Sequence, residues 1–173
     1  MSVPALETSV NHSGRKVLLW WIPTLVWLCV LALFSTDAFS AQHTGSVLLK
    51  IVHFFYGNIS PHSFQELNFA VRKSAHFLSY GLLSAFAFFS WRVTLPSLKP
   101  WSAWWSALAL LLTLLAGSSD EIHQAFVASR TSSSHDVMID MTGAVFFQLV
   151  IAWAMQKRML TAETRRRVEK PEA

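Results

Sequence analysis

The chain has 173 residues, of which 53% are hydrophobic and only 14% charged, with a formal net charge of +4. A soluble domain carries about 25% charged residues, and here the deficit falls in blocks, which argues against a soluble fold and for one integral membrane domain. The positive charge does not call for nucleic acid, because the basic residues flank apolar segments, and the single cysteine, Cys29, rules out an intramolecular disulfide and a cysteine zinc cluster.

Residues 1–14 are polar and read as an unstructured tail. Arg15-Lys16 then precede an uncharged apolar run over residues 17–35. This segment has features of a signal peptide, and Ala38-Phe39-Ser40 is a tolerable cleavage site, but its length favours an uncleaved first span. Pro23 is placed to kink it. Residues 36–63 form the longest connection, and within it Val47–Tyr56 is too short to span, so an interfacial or re-entrant turn is expected. Gly57 to Pro61 breaks that turn, and Asn58-Ile59-Ser60, although it fits a glycosylation sequon, is discounted. Ser63-Phe-Gln-Glu66 reads as a capping box with Ser63 as N-cap. The helix it opens runs through Arg72 and Lys73 into a second span over residues 74–91.

A short basic turn, Arg92 to Pro100, leads to Trp101, Trp104 and Trp105, which read as headgroup-level anchors at the start of the third span. That helix is expected to extend into Asp120–Ala128, followed by a polar turn over Arg130 to Ser134. Asp136 then starts, and caps, a fourth span ending near Met155. The remaining tail is basic and suited to water or lipid headgroups. The expected organisation is a cytoplasmic tail (1–16), a membrane domain (17–156) and a basic cytoplasmic tail (157–173).

The fold class expected is therefore all-α: a polytopic bundle of four transmembrane helices with an outer interfacial or re-entrant segment. Ten of the 14 Lys and Arg residues lie on the side of the two tails and the 92–100 turn. The positive-inside rule places both termini in the cytoplasm of a cell whose inner (cytoplasmic) membrane holds the chain as a multi-pass protein. The start of span two, the end of span three and the start of span four then share the outer face.

Two polar stretches meet on that face. Arg72, His76 and Tyr80 are spaced i, i+4, i+8, and Lys73, His76 and Tyr80 are spaced i, i+3, i+7, so either set lines one stripe of a helix. Asp120 and Glu121 each share a face with Gln124, and Asp136, Asp140 and Gly143 share another, where glycine lets helices approach. Ionisable groups this close to a bilayer mark a functional site unless they serve only each other. One reading is structural, with ion pairs fixing the helix packing. The other is a site that binds a ligand, with Arg130 best suited to grip a phosphate or carboxylate through two hydrogen bonds. A third treats His76 or Glu121 as a catalytic base, if the chain is an enzyme at all. The residue types match no recognisable zinc pattern, a serine nucleophile at Ser132–Ser134 lacks a visible base, and no cofactor is expected.

In order and spacing, Arg72-Lys73-x-x-His76-Phe77-x-x-Tyr80, Asp120-Glu121-x-x-Gln124, Arg130-x-x-Ser133-x-x-Asp136, then Asp140 and Gly143, the chain resembles the VanZ-like family of small membrane proteins. The resemblance covers roughly residues 65–155, with the first span also in keeping. That family is named for a protein that raises resistance to the glycopeptide antibiotic teicoplanin. The resemblance implies a cell-envelope role, with antibiotic resistance as the type. The partners it implies are membrane lipids and an envelope lipid, cell-wall precursor or glycopeptide as ligand, with no nucleic acid. Neither the ligand nor the oligomeric state follows from the residues. An intramembrane enzyme acting on a lipid headgroup is the alternative, and a small transporter ranks last.

Overall fold

The computed structural model describes residues 5–36, 41–95, 97, 101–127 and 133–169. Its elements are α1 (Ala5–Phe34), α2 (Ala41–Tyr56), α3 (Pro61–Thr94), α4 (Ala103–Ala125) and α5 (Ser134–Glu169), with no strand among the described residues. Two stretches, Gly14–Phe34 and Ser134–Arg165, are long and apolar enough to cross a bilayer.

The hub is α3, which packs against α1, α4 and α5 and touches α2 lightly. Its most intimate seam is with α5, and glycine makes that seam. A Cβ placed on Gly143 would run into the backbone carbonyl of Phe77, and one on Gly81 would run into the ring of Phe147. Bare backbone at these two positions lets the axes come close, as small residues do between membrane helices.

Polarity is inverted relative to a soluble bundle. The interior holds Thr24, Ser84, Ser90, Thr113, Gln124, Asp140 and Gln148, all buried. The exposed faces carry Leu18, Leu19 and Ile22 on α1, Leu111 and Leu115 on α4, and Phe146, Leu149 and Trp153 on α5. Contiguous exposed apolar surface of this kind seeks lipid or a partner, not water. The interior polar groups bond each other: Gln148 Nε2 donates to Ser84 Oγ at 2.8 Å and to Ser84 O at 3.0 Å.

Several boundaries differ from expectation. Helix α1 begins at Ala5, within the stretch read as unstructured. Alanine, leucine and glutamate open it, and these favour helix. It passes through Pro23 as one helix. α2 is a regular helix of 16 residues, about 24 Å long and so shorter than the ~30 Å hydrocarbon core. It ends at Gly57, whose φ of 76° suits glycine alone, and displays Phe54, Phe55 and Tyr56 on its surface.

The N-cap of α3 is Ser60 and not Ser63. The Ser63 amide donates to Ser60 Oγ at 3.1 Å, and Pro61 occupies the first turn, where its missing N–H costs nothing. Glu66 instead lies 3.7 Å from exposed His62. Trp105 is not a headgroup anchor but a core residue, edge-on to Phe88 with its indole donating to Leu95 O at 2.8 Å. Trp104 alone of the pair is exposed. α5 runs without interruption past Met155 and residue 156 to Glu169, since the tail offers no glycine or proline before Pro171.

Candidate functional site

The polar stretches singled out in the sequence come together at one end of the bundle. They lie on the amino half of α3, the carboxyl end of α4 and the first turns of α5. Lys73 of α3 forms an ion pair with Asp136 of α5. One turn on, His76 Nδ1 lies 3.0 Å from Asp140 Oδ1, an arrangement in which the ring N–H donates to the carboxylate. One turn further, Tyr80 donates its hydroxyl to Asp120 Oδ2 at 3.0 Å. The His76 and Tyr80 rings stack, with centroids 6.2 Å apart and planes 10° from parallel. Thus the stripe Lys73, His76, Tyr80 of α3 meets carboxylates of two other helices in sequence.

On α4, Gln124 Nε2 donates to the same Asp120 oxygen at 3.0 Å, across one helical turn. Glu121, 5% exposed, accepts the Ser133 amide at 2.7 Å, which ties the start of α5 to α4. Ser133 therefore acts here through its backbone. Its side chain also accepts from the His135 amide at 3.3 Å, so the hydroxyl caps α5. Asp136, read from the sequence as the cap, lies in the first helical turn and turns to Lys73 instead. In the first turn of α5, the Asp136 carboxylate still gains from the positive end of the helix dipole.

Desolvated carboxylates need their remaining lone pairs met or neutralised. Here Asp120 Oδ1, Glu121 Oε1, Gln124 Oε1 and Asp140 Oδ2 are buried with no hydrogen-bond partner among the described residues. Space for Asp140 is made by Gly117 of α4, where an added Cβ would sit 3.1 Å from Asp140 Oδ2.

Arg72 behaves differently from its neighbours. It is half-buried and makes no ion pair or hydrogen bond among the described residues. It lines a cavity of ≈ 300 Å³ whose polar side is formed by Arg72, Asn68, His76, Tyr80, Asp120 and Gln124. The cavity's apolar lining comes from three helices, Leu31 and Phe34 of α1, Leu48 of α2, and Val71 and Ala75 of α3, with Thr44 of α2 and Ser79 of α3 beside them. Arg130 lies outside the described residues, so its expected ligand contact has no structural counterpart here.

Of the remaining sequence candidates, Lys73, His76, Tyr80, Asp120, Glu121, Gln124, Ser133, Asp136 and Asp140 all join the network just described. Glu121 does not line the cavity, whereas His76 does. No group of three His, Cys, Asp or Glu side chains among the described residues converges to hold a metal. Sequence reasoning missed Asn68 and Gly117. Asn68 was within reach, since it stands four residues before Arg72 and eight before His76 on one stripe. Gly117 carried no such signal, because only the close approach of Asp140 explains it. His123, given no role from the sequence, has its Nδ1 2.9 Å from Ser35 Oγ and so ties α4 to the end of α1.

These features define an all-helical protein with membrane-type surface chemistry and one polar network between helix ends. The match to a family model then fixes the kinship: the chain belongs to the VanZ/LLP1 family, whose model covers residues 20–155. Family and apolar helices together support a membrane protein. Neither a curated protein nor a solved structure matches the chain.

Proposed function

We propose that this protein is a four-span protein of the inner membrane that binds an amphiphile of the cell envelope at its outer face. Both termini are cytoplasmic in this reading, and α1, α3, α4 and α5 are the spans. The apolar outer faces of α1, α4 and α5 and the central packing of α3 favour four crossings over two. The Lys and Arg asymmetry favours this orientation. α2 lies at the outer interface, in keeping with its length and its exposed Phe54, Phe55 and Tyr56.

One observation carries the binding reading. A cavity with apolar walls from three helices is lined by Arg72, a cation with no partner among the described residues. Such a shape suits a molecule with a hydrocarbon body and an anionic group, and a guanidinium grips phosphate or carboxylate in two places. Envelope lipids, cell-wall precursors carried on lipid and lipophilic glycopeptides share that chemistry. The family's link to teicoplanin resistance belongs to this reading.

The test is lipid retention. Protein purified in mild detergent should carry phosphate-bearing lipid detectable by native mass spectrometry, and Leu48→Trp, which fills the cavity, should lose it. Equal retention by wild type and by folded Leu48→Trp would sink the reading. Teicoplanin susceptibility of a sensitive Gram-positive host, expressing wild type or Arg72→Ala at matched levels, then separates the ligands. Protection by wild type alone assigns a glycopeptide or its target.

A second reading has its own observation. His76 lines the cavity with Nδ1 held by Asp140, the pairing that orients an imidazole for proton transfer through its other nitrogen. In this reading the protein modifies a lipid headgroup, with His76 and not Glu121 as base. Product formed from an envelope lipid and lost in His76→Gln would establish it, and an inert wild type across a lipid panel would remove it.

A further inference from the structure

A second cavity, of ≈ 270 Å³, adjoins the first. Asn68 and Arg72, one helical turn apart, line both and form the partition between them. The two differ in depth. Along α3 the first extends from Asn68 inward to Tyr80, whereas the second extends from Lys73 outward to Gln65. At 1.5 Å per residue, the pair spans about 22 Å along the helix axis, a distance on the scale of one leaflet with its headgroup.

Their chemistry differs as well. Besides the shared residues, the outer cavity is bounded by Gln65 and Phe69 of α3 and Ser133 at the start of α5, together with the Lys73–Asp136 pair, whose ammonium lies over the Phe69 ring. Amide and hydroxyl groups both donate and accept. The lysine and the carboxylate already neutralise each other, so apart from the shared Arg72 this cavity offers hydrogen bonds and one aromatic ring and no unbalanced charge. Of the two cations lining the cavities, Lys73 is paired and the shared Arg72 has no partner among the described residues, while Asp120 of the inner cavity already accepts from Tyr80 and Gln124.

We infer that a single amphiphile straddles the partition: its chain lies in the inner cavity, its phosphate rests on Arg72, and a neutral hydroxyl-bearing headgroup occupies the outer cavity. The ligand class is a phosphodiester lipid carrying glycerol or a sugar. A bare phosphate monoester would leave the outer cavity unused. An ammonium headgroup would bring a second charge to a place where the carboxylate is already paired. The inference rests on the proposed amphiphile site and adds the headgroup class to it.

Native mass spectrometry with chain-matched phosphatidylglycerol, phosphatidic acid and phosphatidylethanolamine tests it on the full-length protein. Wild type should bind phosphatidylglycerol about tenfold more tightly than either other lipid. Gln65→Trp, at an exposed position of α3, should erase that preference while leaving phosphatidic acid binding unchanged, with an unaltered melting temperature as the folding control. No preference in wild type overturns the inference without needing any variant. A preference that survives in Gln65→Trp also overturns it. Leu48→Trp separates the two claims. Loss of all three lipids in that variant upholds the inner site even where the headgroup preference fails. Undiminished binding there removes the inner site, and the inference with it.

Discussion

The amino half of α3 meets its neighbours through charge, and the carboxyl half meets them through hydroxyls and indoles. At the first, Lys73 and His76 face Asp136 and Asp140 of α5. At the second, Thr24 and Ser90 hydroxyls lie 2.9 Å apart, Trp21 donates to Thr94 at 2.9 Å, and Trp105 donates to Leu95 O at 2.8 Å. Both halves hold the same helix in register. The second does so with neutral groups, whose desolvation cost is small even where a buried atom, such as Trp91 Nε1 or Gln148 Oε1, has no hydrogen-bond partner among the described residues. Helix registration in this protein therefore does not require ions. Among the described residues each half leaves four buried atoms unbonded, but in the charged half three of the four are carboxylate oxygens and one arginine has no partner, an arrangement that packing alone would not favour. The difference is the strongest argument that the charged end serves a ligand.

The comparison breaks most sharply at the ion pair. Lys73→Ala should destabilise the protein by about 3 kcal/mol, because it strands Asp136 in a desolvated place. The double variant Lys73→Ala with Asp136→Ala should recover more than half of that. Thermal unfolding in one fixed detergent, on both variants, checks it. If the double variant is as unstable as the single, then the pair is held by something other than charge complementarity.

Next comes the seam that both halves depend on. Gly143→Ala places a methyl against the Phe77 carbonyl, so α3 and α5 must part, at a cost of about 2 kcal/mol. Gly14→Ala, in open space on α1, should cost nothing and raise stability slightly, by up to about 1 kcal/mol, in the same assay. A smaller effect is expected at the neutral end. Thr24→Val alone should cost about 1 kcal/mol, and Thr24→Val with Ser90→Ala should cost little more, since removing both partners leaves no orphan of that bond. A loss there as large as that of Lys73→Ala would erase the distinction between the two halves.

The charged end was the more legible part of the sequence. Helical spacing placed His76 and Tyr80 on one stripe with either Arg72 or Lys73 and grouped the carboxylates on faces of their own helices, because period 3.6 holds whatever surrounds the helix. Spacing does not say which carboxylate takes which base. The order Asp136, Asp140, Asp120 along α3 is set by how α4 and α5 cross it. Asp136 illustrates the limit. Near a helix start, a carboxylate reads as a cap, but Ser133 takes that place and frees Asp136 for Lys73. The same ambiguity put the α3 cap at Ser63, where a glutamate followed, although Pro61, two residues earlier, already marked a helix start capped by Ser60. Trp105 misled for a different reason: headgroup anchors and core indoles share a composition, and only the neighbouring Phe88 distinguishes them. The cavity was not legible at all. It joins α1, α2, α3 and α4, and no local pattern records what lies between helices distant in the chain.

The smallest expected change in stability belongs to Arg72→Ala. A side chain with no ion pair or hydrogen bond among the described residues has little to lose, and the effect should stay within about 0.5 kcal/mol. Removing an unneutralised cation from a half-buried place even has a favourable desolvation term. On a purely structural account of the charged end, Arg72 would behave like Lys73, because both would be there to hold α3. On the ligand account the two part company: Lys73→Ala unfolds more readily, whereas Arg72→Ala folds as well as wild type and fails to retain phosphate-bearing lipid. Measuring melting temperature and lipid retention on both variants places each arginine or lysine in one class or the other. Equal destabilisation by the two, with lipid retained by Arg72→Ala, would return the whole charged end to packing.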